Sequence, residues 1–146
     1  MNTTRRFLRL ILCLLAVTSL AALAETGSSL RYDGLYQADA SFKKGNAEEK
    51  LSNYLRFYED GTVIDLSSTG TPAQVNGWFV KGHAGVAEGT YKLDGQALTF
   101  TTTIGTGRAA VVVEYSGKIE GDTLVLDSLS HSNQNRSSHT YHFVKP

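Results

Sequence analysis

Three glycine-bearing turns divide much of this chain into antiparallel pairs, and the stretch Leu51 to Leu66, LSNYLRFYEDGTVIDL, constrains the fold most. Asp60-Gly61 between two alternating apolar runs is a strong short-range hairpin signal. A two-residue turn there sets Phe57 opposite Ile64, Leu55 opposite Leu66 and Arg56 opposite Asp65. One face is then apolar and the other carries an ion pair, the kind of cross-strand agreement that stabilises a sheet. Asp94-Gly95 repeats this grammar, with Tyr91 opposite Leu98 and Gly89 opposite Phe100, and Gly121-Asp122 repeats it again, with Ile119 opposite Leu124 and Gly117 opposite Leu126. Consecutive hairpins that each own one apolar face must either close on themselves or stack as two sheets.

The pattern predicts eight strands, at 31–39, 51–59, 62–68, 85–93, 96–104, 109–119, 123–129 and 138–145. Eight is the number at which closure leaves an interior that side chains fill or that a small ligand shares. The expected fold is therefore an all-β, eight-stranded antiparallel up-and-down barrel, with a β-sandwich as the alternative. Ser41 to Lys50, SFKKGNAEEK, is polar and charged and reads as a solvated loop or a ragged helical turn. Between the third and fourth strands the period changes. Thr71, Pro72 and Gln74 stand as a cap, a first helical position and the third residue after the cap, which predicts a short helix over about 72–80. Val75, Trp78 and Phe79 share its apolar face, and Gly82 can end it. The helix is expected near a barrel mouth, as a plug or lid.

The chain opens MNTTRRFLRLILCLLAVTSLAALAE, with Arg5, Arg6 and Arg9, an apolar run, and the small-x-small sequence Ala22-Leu23-Ala24. That is the grammar of a secretory signal peptide over 1–24, cleaved to leave one β-barrel domain over 25–146 in the periplasm or outside the cell. The run is short for a spanning helix, which needs about 20 apolar residues, so no stable membrane insertion is expected after cleavage. Cys13 follows Leu12, where a lipoprotein signal wants a small residue. It is also the one cysteine of the sequence, so the exported part has no disulfide, no thiol nucleophile and no Cys-ligated zinc. Three of the 14 basic residues lie in the leader and all 14 acidic residues lie beyond it, leaving the remainder three charges negative. A mildly acidic chain without a basic cluster argues against nucleic acid as a partner.

The ordering of strands resembles the lipocalin and avidin superfamily of calycin-type barrels, and Gly34-Leu35-Tyr36 is similar to the Gly-x-Trp that opens lipocalins, with Tyr in place of Trp. The chain departs from that pattern in lacking a cysteine pair and a C-terminal helix. YLRFYEDGTVI followed by SSTG is similar to a stretch of small exported bacterial proteins. The resemblance implies a ligand-carrying barrel, although fold alone does not set function.

Motifs for chemistry are absent from the sequence. His139 and His142 fall on opposite faces of a strand and cannot share a metal ion, and His83 and His131 have no fixed partner. Asp127, His131 and Ser132 contain triad residue types without a nucleophile elbow, and Gly105-Thr106-Gly107-Arg108 lacks the spacing and the Lys of a P-loop. The expectation is a non-enzymatic protein with no catalytic residue, no metal and no cofactor. What remains is the inward apolar face, with Ile64 and Leu66 assigned to it and Gly89, Gly117, Thr102 and Ser128 leaving space. Trp78, Phe79, Tyr91, Phe100, Tyr115 and Tyr141 are the candidate residues for a small apolar or amphipathic ligand. The alternative is an envelope-protein interaction or inhibitor module working through its loops, Ser128 to Ser138 above all.

Overall fold

The computed structural model describes residues 29–146, so the expected leader and its cleavage site lie outside the described residues. Eight antiparallel strands close into one barrel in chain order: β1 (Leu35–Lys44), β2 (Ala47–Phe57), β3 (Thr62–Ser68), β4 (Ala87–Asp94), β5 (Ala97–Ile104), β6 (Val111–Glu120), β7 (Thr123–Ser130) and β8 (Arg136–Val144). Pairing of Leu35, Tyr36 and Gln37 with Val144, Phe143 and His142 closes the ring, so the sheets do not stack as a sandwich. The architecture is consistent with a lipocalin-like barrel.

The turn chemistry decides which side chains enter the barrel. At the β2–β3 turn the Tyr58 amide donates to the Thr62 carbonyl at 2.9 Å and the Gly61 amide to the Tyr58 carbonyl at 3.0 Å. Gly61 takes φ 89°, so the loop is the three-residue Glu59-Asp60-Gly61 rather than a two-residue turn. Asp60 Oδ1 accepts the Thr62 amide at 3.1 Å, which favours this longer loop. Phe57 therefore pairs with Val63, Arg56 with Ile64 and Leu55 with Asp65. A one-residue slip exchanges the faces. Val63 and Asp65 turn inward with Leu55 and Phe57, and the expected Arg56–Asp65 ion pair does not form. The β4–β5 turn slips by two: Gly95, at φ 58°, and Gln96 are its centre, and Tyr91 pairs with Phe100. An even slip preserves the faces. The β6–β7 turn has the expected register, with Ile119 on Leu124 and Gly117 on Leu126.

Residues 41–50 are neither loop nor helix. They form the outer halves of β1 and β2, joined at Gly45-Asn46, with Lys44 paired to Ala47 and Gly45 at φ 62°. Their charged side chains are exposed because this ribbon extends past the packed part of the barrel. At the start of the chain, residues 29–34 are a strap rather than the first turn of a strand.

Two apolar clusters hold the structure. The inner one packs Tyr36, Leu55, Phe57, Val63, Leu98, Phe100, Ile119, Leu124 and Leu126 inside the barrel with Leu30 from the strap. Phe57 is its hub, meeting Tyr36, Tyr91 and Phe100 edge to face at 5.3–5.8 Å between ring centres. The outer cluster joins Leu35, Tyr54, Ile64 and Leu66 on the outer wall to Val75, Phe79 and Val86 of the β3–β4 connection. Ile64 and Leu66 thus belong to the outer wall, and their apolar surface needs a cover.

That cover is the predicted helix. Helix α1 (Pro72–Val75) starts at Thr71, whose amide donates to Gln74 Oε1 at 2.8 Å, and continues as a 3-10 turn over Asn76–Trp78. Val75 and Phe79 are four apart, share the inward side of the segment and are buried against the outer wall. The Tyr54 hydroxyl donates to the Gly70 carbonyl at 2.7 Å, the Tyr58 hydroxyl donates to the Phe79 carbonyl, and Lys81 pairs with Asp60. The connection therefore runs down the outside of β2 and β3 and is neither plug nor lid.

Candidate functional site at the open end of the barrel

Alternate connections of an up-and-down barrel lie at alternate ends, and here the two ends differ. The end carrying the β2–β3, β4–β5 and β6–β7 turns is crossed by the 29–34 strap, with Leu30 buried in the inner cluster. Arg31 fastens it: its guanidinium lies 3.7 Å from the centre of the Phe143 ring and 3.3 Å from Asp122 Oδ1, and its amide donates to the Tyr36 hydroxyl at 2.9 Å. The Tyr91 hydroxyl donates to the Tyr58 carbonyl at 2.8 Å and sits 3.3 Å from the Tyr32 hydroxyl. This end is filled and closed.

The other end opens to solvent. A cavity of about 1190 Å³ lies between the β1–β2 ribbon, the end of β3 at Ser67 with Thr69 just beyond it, and the start of β8. Inward positions alternate along each strand. They bring Leu51 and Asn53 from β2, Ser67 from β3, and Ser137 and His139 from β8 into its lining. One inward position deeper on the same strands are Leu55, Asp65 and Tyr141, which belong to the packed interior beneath the cavity rather than to its lining.

This packed layer is polar on one side and aromatic on the other. Asp65 Oδ2 accepts the Tyr115 hydroxyl at 2.6 Å and the Thr102 hydroxyl at 3.3 Å. Tyr115 stacks on Phe100 with ring centres 4.4 Å apart. The Ser67 hydroxyl donates to Asn53 Oδ1 at 2.7 Å, and the Asn53 side chain bonds in turn to Tyr141. Burial raises the pKa of the Asp65 carboxyl, and the bonds from Tyr115 and Thr102 oppose that rise. Burial also raises the Tyr115 and Tyr141 hydroxyls, with the nearby Asp65 charge adding to both, so both keep their protons at any ordinary pH.

Of the six side chains expected to hold a ligand, none lines this cavity, and three, Phe100, Tyr115 and Tyr141, meet in the packed layer beneath it. Tyr91 faces inward but belongs to the closed end, where its hydroxyl is engaged. Trp78 and Phe79 are on the outer wall, Phe79 buried there and Trp78 49% exposed, 5.6 Å from the His83 ring. The space credited to Gly89 and Gly117 is not cavity. A Cβ on Gly89 would lie 1.7 Å from the Thr101 carbonyl oxygen, and one on Gly117 1.9 Å from that of Val125, so these glycines admit neighbouring backbone.

No family model matches the chain, and no curated protein matches it. The site must be read from its own chemistry. Asp65, Asn53 and Ser67 are the residues that sequence reasoning placed elsewhere or passed over, whereas Thr102 was placed on the inward face, where it is buried. For Asp65 the available signal was Asp60, whose habit of accepting a hydrogen bond two residues on favours the longer loop. Among the described residues no group of three or more His, Cys, Asp or Glu could hold a metal ion. His139 stands at the cavity wall and His142 faces the opposite side of β8, while His131 pairs with Glu114 at 3.1 Å on the rim. Among the same residues no helix is long and apolar enough to cross a membrane.

Proposed function

We propose that this protein is an exported, non-enzymatic carrier of the lipocalin-like type, which takes a small amphipathic ligand into the open half of its barrel. The observation that carries the reading is the division of the barrel, solid and strapped at one end and, at the other, an open cavity lined by Leu51, Asn53, Ser67 and His139. Pockets that hold small molecules combine concave apolar or aromatic surface with a few fixed polar groups, and their volumes run upward from about 300 Å³. The leader grammar of residues 1–24 supports export, and its likeness to bacterial signal peptides supports the periplasm or the exterior.

The test is a screen of short amphiphiles by amide chemical-shift mapping. Binding is expected to move the resonances of Asn53, Ser67 and His139 while leaving Trp78 emission unchanged, because Trp78 is on the outer wall. Shifts confined to the β3–β4 connection around Trp78, or to the 131–135 loop, would refute the cavity reading and favour the protein-interaction module.

A further inference from the structure

We infer that two copies of this chain join through the free edge of β1, paired antiparallel about a two-fold axis at Ser41. The barrel is closed by three residue pairs between β1 and β8, ending at Gln37 with His142. Both strands run on past that point, β1 to Lys44 and β8 back to Arg136, without pairing to each other. The open cavity takes its lining from both, with Asp39, Ala40 and Ser41 from β1 and Arg136, Ser137 and His139 from β8. Residues 38–44 are therefore bonded to β2 along one edge and bare along the other. Strand β3 also outruns its partner β4, but there the chain covers itself. Leu66 joins Val75 and Phe79 in the outer cluster, and the Ser68 hydroxyl accepts the Gly70 amide at 3.1 Å. Nothing among the described residues covers β1 in this way. A bare edge is a template for another strand, and a two-stranded ribbon standing alone is marginal in water.

The order of residues along this edge complements itself. With a second copy turned about Ser41, Asp39 of each copy stands opposite Lys43 of the other, and Ala40 of each opposite Phe42 of the other. A two-fold axis perpendicular to the sheet keeps inward residues opposite inward ones, so the apolar pairs share one face and the charged pairs the other. Opposite charges and apolar side chains directly across from each other stabilise such a pairing. Both kinds of residue lack a partner within one copy. Asp39 and Lys43 have no hydrogen-bond or ion-pair partner among the described residues, and Glu48, across β2 from Lys43, already accepts the Ser41 hydroxyl at 2.5 Å. Phe42 shares the inward face with buried Ala38 yet is 39% exposed. The other free edges do not match themselves. Along β2, residues 47–51 turned about their centre set Glu49 against Glu49, and Lys44 already holds that carboxylate at 3.5 Å. Along β8, residues 136–141 offer Arg136 and no acid to meet it.

Sedimentation of the full exported chain over a concentration series is expected to show a monomer–dimer equilibrium that weakens as salt rises. Amide hydrogen exchange at 39–43 should slow as the dimer forms. Asp39→Lys and Lys43→Asp, each alone, set like charges opposite each other at both charged pairs and should weaken the dimer about tenfold or more. Mixed in equal amounts, the two variants should associate with each other about as well as the native chain does with itself, because one then offers two cations to the two carboxylates of the other. That recovery also shows that both variants are folded. A native chain that stays monomeric throughout the series overturns the inference, and capture of a foreign strand at 39–43 by that monomer would assign the edge to another protein instead. A dimer that neither substitution weakens, variants that do not associate on mixing, or slowed exchange confined to 47–51 would each overturn it as well.

Discussion

At Asp65 an ionisable group is held where its charged form is disfavoured. Burial raises the carboxyl above its ordinary value of 3.8, and the Tyr115 and Thr102 hydroxyls offset part of that rise. The folded chain therefore holds the Asp65 proton more tightly than the unfolded chain does. From this residue stability is greatest while the carboxyl is protonated, declines as pH rises from the ordinary value through the raised one, and is level above that. Asp65→Asn is expected to remove this decline, which urea midpoints at a series of pH values will show; an unchanged profile would mean that another group sets it. Asp60 acts in the opposite sense. Lys81 first, then Thr62, hold its carboxyl down at about 2, so its contribution is present above the ordinary Asp range and lost as pH falls toward that value. Asp60 is exposed, so its part is small and screened by salt.

Among the elements, the strands depend on glycine where two backbones approach. Gly117 of β6 lies against Val125 and Leu126 of β7, and an added Cβ would lie 2.9 Å from the Val125 carbonyl carbon as well as against its oxygen. Gly117→Ala must separate β6 from β7 or bend one of them. It is expected to cost about 3 kcal/mol, the upper end for overpacking, read as a lowered urea midpoint. Recovery of the native midpoint would show that the strands part freely there. The connection carrying α1 shows how an element's place differs from its local conformation. Thr71, Pro72 and Gln74 were legible as a helix start, and Val75, Trp78 and Phe79 were expected as its apolar face, of which Val75 and Phe79 are buried and Trp78 is not. Which surface that face covers was not legible, because it depends on Ile64 and Leu66 pointing outward, and that depends on one extra residue in the β2–β3 loop.

For the molecule as a whole, packing and opening are segregated by end. The closed half contains the aromatic hub, and the open half contains the cavity. Phe57→Ala at the hub is expected to cost about 4 kcal/mol, while His139→Ala at the mouth should stay within about 0.5 kcal/mol, both by denaturant unfolding. Similar costs at the two positions would mean that the mouth is packed after all. By itself, the sequence determined the class of fold and the number of strands. Period-two alternation, Asp-Gly turns and one capped helix are local signals, and eight amphipathic strands have few ways to bury their apolar faces. It also determined that Phe100, Tyr115 and Tyr141 share the interior, because their registers are insensitive to an even slip. Only the tertiary structure decided that Asp65 enters the barrel, that Trp78 stays outside, and that residues 41–50 are strand. The β2–β3 turn alone inverts a face with one residue, and the exposed β1–β2 ribbon has no apolar alternation to announce it. The inward face of β3 depends on that single inversion, which is why the carboxylate beneath the cavity is one that the sequence had paired with Arg56 on the opposite face.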